Sequence, residues 1–260
     1  MNLEKELEVA RRAARQAGEL ALRLRGRGLA AEAKADASPV TAADRECEQL
    51  LAAALSEAFP EDGLLGEEGA RREPRSGRRW IIDPIDGTRD FLRGNGSWAV
   101  LIGLETDGDI AAGVCFMPER GEMYFASRGS GAWRNDDRIA ISAITEPARA
   151  VLCVTGLNDI AGRPYAGRLV DWLAEFWAVR SLGGCLDAMM VASGRAEAWI
   201  EPAAEVWDLA ALKVILEESG ARFVNFDGGS SARGGNCIAC VPALEAPLRR
   251  FLGIPKALYY

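Results

Sequence analysis

Apolar residues recur at helical spacing near the beginning of the chain. Between positions 3 and 24, leucine and alanine residues share one stripe, and Gly26 and Gly28 follow it. This spacing predicts a first helix that ends at the glycines. A second helix is predicted to run to about Phe59, with Thr41 as its candidate N-cap and Pro60 beyond its end.

Short apolar runs separated by turn residues characterise the rest of the chain, and in the middle they indicate antiparallel strands. These strands are predicted at residues 100–104, 110–117 and 123–126. In the second half, apolar runs at 151–155 and 196–200 are separated by helical patterns near 165–176 and 185–191. That order predicts an α/β lobe. We therefore expect an α/β protein with an N-terminal α+β lobe, residues 1–145, and a C-terminal α/β lobe, residues 146–260.

The segment WIIDPIDGTRDF, residues 80–91, places two carboxylates directly after an apolar run that predicts a buried strand. A charge at the end of such a strand is costly unless it is compensated, and a cation is the natural compensation. Pro84 stiffens the chain where we expect the strand to stop, so Asp83 and Asp86 are held on one side of a tight turn. Hard oxygen ligands of this kind suit Mg²⁺, and the Ile85 carbonyl adds another oxygen.

Gly87 and Thr88 follow these carboxylates and form the next turn. A helix that begins there would direct its free N–H groups and positive dipole end toward the metal, where a phosphate could bridge both. The hydroxyl of Thr88 could orient a water. The alternative is a surface turn, since Asp, Pro and Gly are common turn residues.

Two further acidic segments could reach the same point. Glu67 and Glu68 stand between Gly66 and Gly69, although adjacent glutamates are usually solvated. Asp208 leads into a helical pattern, where its alternative role is that of an acid in the first helical turn, worth about 1 kcal/mol. The basic segment 71–79 is expected to be a solvated connection.

Composition narrows the chemistry. The chain has no histidine, which excludes a Ser-His-Asp triad, phosphoryl transfer through histidine and His-rich zinc sites. With 31 basic and 38 acidic residues, the net charge of −7 argues against broad nucleic-acid binding. Cys237 and Cys240 lie in one apolar run that predicts a strand, so their side chains should point to opposite faces, which disfavours a zinc or redox site. Without a long apolar segment or a signal peptide, the protein is expected to be cytoplasmic.

Three motifs give the chain a family resemblance. Gly-Glu-Glu at 66–68, WxxDPxDGT at 80–88 and Trp-Asp-x-Ala at 207–210 occur in the order and at the spacing found in the inositol monophosphatase superfamily. The chain resembles this family from about residue 34 to about residue 242. The resemblance implies a layered αβαβα sandwich of the sugar-phosphatase type, often a homodimer, with two or three Mg²⁺ ions per active site and inhibition by Li⁺.

The resemblance also implies roles for particular residues. The implied metal ligands are Glu67, Asp83, the carbonyl of Ile85, Asp86 and Asp208. Glu67, Asp83 and Thr88 are the implied catalytic residues, with a water that is activated by metal, oriented by Glu67 and Thr88, and attacks phosphorus without a covalent intermediate. The implied phosphate- and substrate-binding residues are Asp86, Gly87, Thr88, Gly184, Glu201 and Asp208. Additional candidates farther from the metals are Lys34, Asp44, Glu68 and Arg89.

The substrate is the least determined feature. Glu201, seven residues before Asp208, matches a family residue that hydrogen-bonds inositol hydroxyls, although it could instead be a solvated residue before Pro202. The sequence Gly183-Gly184-Cys185 resembles the Gly-Gly-Asp-Cys of histidinol phosphatases but lacks the aspartate. Arg89 could favour a second anionic group, or it could be a surface charge on a helix.

These features predict a Mg²⁺-dependent phosphomonoesterase that acts on a small polyol or alcohol phosphate. Inositol monophosphate is the first substrate candidate and histidinol phosphate the second, followed by 3′-phosphoadenosine 5′-phosphate and fructose 1,6-bisphosphate. A different class, a binding protein in transcription or ribosome assembly, stays open, since some family members have that role.

Overall fold

Two helices begin the chain in the computed structural model, which describes residues 2–27, 31–33 and 39–255. Helix α1, Glu4–Arg25, buries an alanine-rich stripe, as its spacing predicts. Helix α2 is Ala42–Ala58, and Thr41 caps it: the Thr41 hydroxyl accepts a hydrogen bond from the Ala43 N–H. The predicted second helix and its cap are therefore confirmed. Two short strands, β1 (Ala31–Ala33) and β2 (Pro39–Thr41), pair antiparallel before α2.

An eight-stranded sheet packs against these helices, in the strand order β10-β9-β8-β7-β6-β5-β3-β4. Its strands are β3 Gly63–Gly66, β4 Arg71–Arg72, β5 Arg78–Asp86, β6 Ala99–Thr106, β7 Asp109–Met117, β8 Glu122–Ser127, β9 Ala132–Arg134 and β10 Asp137–Ile139. Only the β3–β5 pair is parallel in this sheet. The three predicted antiparallel strands are confirmed. The expected loop at 71–79 is wrong in part, because Arg71 and Arg72 pair with β3 as an edge strand.

A five-stranded sheet follows, in the order β12-β11-β13-β15-β14. Its strands are β11 Val151–Val154, β12 Ala178–Arg180, β13 Ala198–Glu201, β14 Arg222–Val224 and β15 Cys237–Cys240. The remaining helices are α3 Thr88–Arg93, α4 Leu169–Leu173, α5 Gly184–Ala192, α6 Val206–Glu218 and α7 Glu245–Leu252. Strand β11 runs parallel to β12 and β13, whereas β15 is antiparallel to both of its neighbours.

Three apolar cores hold five layers together, and the middle core contacts both sheets. One core joins α1 and α2 to the large sheet, a second holds α5 and α6 between the sheets, and a third joins the small sheet to α4 and α7. The expected αβαβα layering is thereby confirmed. Cys237 faces the middle core and Cys240 the outer one, on opposite faces of β15 as predicted.

Helix α6 lies very close to the large sheet because two strands present glycine to it. A Cβ atom added at Gly103 would stand 2.8 Å from the Ala210 Cβ, and one at Gly113 would stand 2.6 Å from the Ala211 carbonyl oxygen. Such distances are shorter than ordinary contacts, so no side chain fits at these positions. This close packing fixes the position of α6 relative to β6 and β7.

The break between the sheets falls between β10 and β11, near residue 145, but the division into two lobes stays a prediction. Within the described part of the chain, no helix combines the length and the apolarity needed to cross a membrane.

Candidate active site

A β-bulge near the end of β5 positions the first two carboxylates. The pairing of β5 with β6 shifts register between Asp83 and Asp86, and Asp86 still pairs with Ala99. The predicted end of the strand at Asp83 is therefore wrong. Pro84 has no N–H to donate, and the bulge is the place in a strand where that bond is not required. The Asp83 side chain bends back to accept a hydrogen bond from the Ile85 N–H at 2.9 Å, which holds the bulge.

Helix α6 brings the third carboxylate. Asp208 lies in its first turn, where Oδ2 accepts a hydrogen bond from the Glu205 N–H at 2.7 Å. Its predicted role as a first-turn acid is confirmed, and the same side chain also faces β5. Asp83, Asp86 and Asp208 each offer an oxygen within 4.8 Å of the other two.

Glu67 joins this cluster from the end of β3, where its N–H donates to the Ile82 carbonyl at 3.2 Å. Its side chain hydrogen-bonds Asp83. Glu68 follows on the outer side, and its N–H donates to Glu48 Oε2 at 2.7 Å. The cluster therefore draws its acids from three separate segments of the chain.

Burial and mutual repulsion disturb the ionisation of these acids. Burial, followed by the charges of Glu67, Asp86 and Asp208, raises the pKa of Asp83 well above its ordinary range. Burial raises the pKa of Asp86 to about 6. Burial and the neighbouring charge of Asp86 raise the pKa of Asp208 to about 7. Like charges this close oppose their joint ionisation unless a cation compensates them.

The donor set fits a hard metal ion. Among the described residues, Oδ2 of Asp86 is buried and has no hydrogen-bond partner, which is costly in the protein alone. Oxygen ligands without nitrogen or sulfur are typical of Mg²⁺, Mn²⁺ or Ca²⁺ sites. The Ile85 carbonyl is close by, since it accepts a hydrogen bond from the Thr88 hydroxyl at 3.3 Å. The cluster can therefore bind a metal.

Thr88 lies between the cluster and α2. Its Oγ1 stands 3.4 Å from Oδ1 of Asp44, whose Oδ2 is held by the N–H and hydroxyl of Thr41 at 2.7 and 2.6 Å. Burial raises the pKa of Asp44 although these donors oppose the rise. Gly87 adopts φ +87° as the residue before α3, and a Cβ there would stand 3.1 Å from the Ser97 carbonyl oxygen. The turn therefore requires glycine.

A cavity of about 360 Å³ opens above the cluster. Four predicted substrate residues line it with Asp86 and Asp208: Gly87, Thr88, Gly184 and Glu201. The predicted Arg89 also lines it, whereas Lys34 lies outside the described residues. The exposed alternative for Glu201 is wrong, because only 6% of its surface is exposed and burial raises its pKa to about 8.

Several residues of the site have no counterpart in the sequence predictions. Asp90, Thr155 and Asp159 also line the cavity. Behind it, Glu48 is buried in α2 and accepts hydrogen bonds from the N–H groups of Glu68 and Ala70. Of these residues, only Glu48 could have been found from the sequence, because its spacing places it on the buried stripe of α2.

Comparisons with known proteins agree with this geometry. The model described as the inositol monophosphatase family matches residues 2–249. The chain is 41% identical to a histidinol-phosphatase of Chlorobaculum parvum, over 87% of this chain and 88% of that protein. It is 39% identical to an inositol-1-monophosphatase of Mesorhizobium japonicum, over 73% of each. The solved structure of the extragenic suppressor protein suhB from Bartonella henselae superposes with a TM-score of 0.88 at 33% identity, covering 96% of this chain and 98% of that one.

Proposed function

The chain belongs to the inositol monophosphatase family and is a phosphoric monoester hydrolase, and we propose that it hydrolyses histidinol phosphate to histidinol and phosphate with Mg²⁺ as cofactor. The observation that carries this substrate is the acidic character of the cavity wall formed by residues outside the cluster of Asp83, Asp86 and Asp208. Asp90, Asp159 and Glu201 line that wall, and Arg89 is the single cation among the described lining residues. An alcohol phosphate that carries an ammonium group suits such a wall.

The same wall disfavours substrates with two phosphates. In 3′-phosphoadenosine 5′-phosphate or fructose 1,6-bisphosphate, the second phosphate would face the acids Asp90 and Asp159 and the buried Glu201, with only Arg89 as a counter-charge. Like charges placed together at a binding surface reduce affinity and exclude the wrong partner. We therefore place both bisphosphates below the monophosphates.

We assign the metal to Asp83, Asp86, Asp208, Glu67 and the Ile85 carbonyl. When bound, the metal neutralises phosphoryl charge and lowers the pKa of water. The protein itself supplies the orientation of that water. The Thr88 hydroxyl, held against Asp44 and the Ile85 carbonyl, and the Glu67 carboxylate can each accept or pass a proton at the floor of the cavity. The N–H groups at Gly87 and Thr88 face the phosphate in this proposal.

Inositol 1-phosphate is the second candidate. The buried Glu201 carboxylate could accept hydrogen bonds from two hydroxyls, and Gly184, whose Cβ would stand 3.4 Å from Glu201 Oε2, leaves room beside it. A neutral polyol has no positive charge to pair with Asp159, however. This difference between the two substrates gives the experiment its discriminating residue.

The test is phosphate release with Mg²⁺ from histidinol phosphate, inositol 1-phosphate and the two bisphosphates, compared by kcat/KM. We expect histidinol phosphate to be hydrolysed most efficiently. The exposed side chain of Asp159 is worth about 1 kcal/mol to an ammonium group, so Asp159→Asn should reduce kcat/KM for histidinol phosphate about fivefold and leave inositol 1-phosphate unchanged.

Asp171→Asn serves as the matched control, because Asp171 is an exposed acid on α4 outside this cavity. An equal loss for both substrates in Asp159→Asn would contradict the ammonium assignment. Higher efficiency with inositol 1-phosphate in the unmodified protein would replace the first substrate by the second.

A cytoplasmic location and a homodimer also remain proposals. The described surface exposes Trp177 by 72% just before the edge strand β12, and Val170 on α4 by 78%. Large exposed apolar side chains favour burial against a second copy. Light scattering on the purified protein measures the mass directly.

A further inference from the structure

Asp187 is a fully buried acid outside the metal cluster, and the site chemistry described so far does not use it. It lies in the first half of α5 and accepts hydrogen bonds from the Leu182 N–H at 3.2 and 3.3 Å. The Gly183 N–H and the Cys153 thiol are further donors to it. A buried carboxylate that collects donors from two chain segments holds those segments together.

Thr155 connects Asp187 to the cavity. Its hydroxyl stands 3.3 Å from Oδ2 of Asp187 and accepts a hydrogen bond from Trp199 Nε1 at 2.8 Å. The same hydroxyl lies within hydrogen-bonding reach of the Glu201 carboxyl group. Thr155 therefore lies at the meeting point of a buried acid, a buried indole and the substrate carboxylate.

The turn held by Asp187 forms the neighbouring wall. Gly183 adopts φ +122°, and a Cβ there would stand 3.2 Å from the Ser97 carbonyl oxygen. Gly184 follows directly against Glu201. A small shift of this turn would thus change the space beside the Glu201 carboxylate, because Gly183 and Gly184 have no side chains that could adjust.

We propose that Asp187 is a positioning residue for substrate binding, which acts through Thr155 and the turn at Leu182–Gly183 to fix Glu201 and Gly184 in the cavity wall. The proposal rests on the proposed phosphatase function and adds the determinant of how the alcohol part of the substrate is held. Neither Asp187 nor Thr155 contacts the carboxylates of the metal cluster in the bonds described, so the effect should fall on binding of the alcohol and not on cleavage of the phosphate ester.

The test compares two substrates in four variants. Histidinol phosphate reaches the Glu201 wall, whereas p-nitrophenyl phosphate has neither a hydroxyl nor an ammonium group and serves as the probe of phosphate chemistry. We expect Asp187→Ala and Thr155→Val to raise KM for histidinol phosphate about tenfold, since each removes a hydrogen bond to a charged group. Values of kcat, and kcat/KM for p-nitrophenyl phosphate, should stay within about twofold. Thr155→Ser keeps the hydroxyl and should restore KM.

Glu197→Ala is the matched control. Glu197 is a buried acid just before β13 that accepts a hydrogen bond from the Val151 N–H at 2.6 Å, but it does not line the cavity. Its loss should lower thermal stability and leave KM unchanged. If Glu197→Ala raised KM as much as Asp187→Ala, or if both substrates lost equally in Thr155→Val, a general loss of structure would explain the data and the positioning role would be overturned.

Crystal structures separate this proposal from the proposed function. In Thr155→Val we expect the Glu201 carboxylate to turn away from its position in the unmodified protein. An unchanged Glu201 would overturn the positioning role even in an active phosphatase. A displaced Glu201 would support it even if histidinol phosphate proved not to be the substrate. Failure of the unmodified protein to hydrolyse any ester of the panel would refute only the proposed function.

Discussion

Replacing Asp83 by asparagine tests the metal site most directly. Asparagine has the same shape, and its carbonyl oxygen can still accept the hydrogen bond from the Ile85 N–H that holds the bulge. The change removes one charge from the cluster and leaves Asp86 and Asp208 in place. We therefore expect a folded protein that loses phosphatase activity.

The expected size of the effect follows from linkage. A metal at 100 times its Kd stabilises the folded state by about 2.7 kcal/mol, which for a chain of this length corresponds to a rise in Tm of roughly 5–10 °C. Without metal the cluster is destabilising: the rise in the pKa of Asp208 from 3.8 to about 7 corresponds to about 4 kcal/mol at high pH. Asp83→Asn reduces this repulsion, so it should raise the Tm of the metal-free protein by a few degrees.

Calorimetry with EDTA and with Mg²⁺, at one pH near 8, measures both effects. The unmodified protein should gain stability on adding Mg²⁺, whereas Asp83→Asn should start higher and gain little. Glu197→Gln neutralises a buried acid away from the cluster and should keep the full Mg²⁺ response. A variant Asp83→Asn that retained both near-normal turnover and the full rise in Tm would refute the assignment of Asp83 as a ligand.

Two further outcomes follow from packing and from ionisation. Gly113→Ala should lower the free energy of unfolding by about 1–3 kcal/mol, because its Cβ would stand 2.6 Å from the Ala211 carbonyl oxygen; Gly162→Ala, with open space around it, should be nearly neutral, and similar Tm values for the two variants would contradict the close helix packing. Burial raises the pKa of Glu201 in the folded protein to about 8, above its ordinary value of 4.5. The free energy of unfolding should therefore fall progressively as the pH rises from about 4.5 through 8, because ionising Glu201 is costly only in the folded state. In EDTA, the Tm of Glu201→Gln should therefore match that of the unmodified protein near pH 4, exceed it increasingly up to about pH 8 and keep a constant lead above that pH. A constant difference from pH 4 to pH 9 would argue against a buried carboxylate.

Periodicity predicted the elements well where one face of an element is buried. The start of α2 was predictable because a capping residue, Thr41, precedes a stretch with helical apolar spacing. The three central antiparallel strands were predictable because short apolar runs alternate there with turn residues. The course of β5 was not predictable in the same way. Pro84 indicates the end of a strand, but a bulge keeps β5 paired with β6 through Asp86. The sequence shows that Pro84 cannot donate a hydrogen bond, but only the pairing of β5 with β6 shows that no such bond is needed at the bulge.

The cluster of Asp83, Asp86 and Asp208 was predictable from motif chemistry, and the other acidic lining of the cavity was not. Asp83, Asp86 and Asp208 stand in short patterns whose residue types already indicate oxygen ligation. Asp159 and Thr155 stand in unremarkable loops or strand ends, and only the meeting of β11 with β13 and the 157–160 turn brings them to the cavity. Such residues depend on tertiary contacts that no local window of sequence contains.

The origin of Asp208 at the start of α6, far along the chain from the other proposed ligands beside β3 and on β5, has a consequence for biosynthesis. A growing chain presents Glu67, Asp83 and Asp86 long before the helix that carries Asp208 has been synthesised. The proposed metal-binding set is complete only once α6 has packed against the glycines of the large sheet. Phosphatase activity would then require a chain that has been synthesised beyond α6. Shorter products would be inactive and would not hydrolyse phosphate esters before the cavity wall has formed.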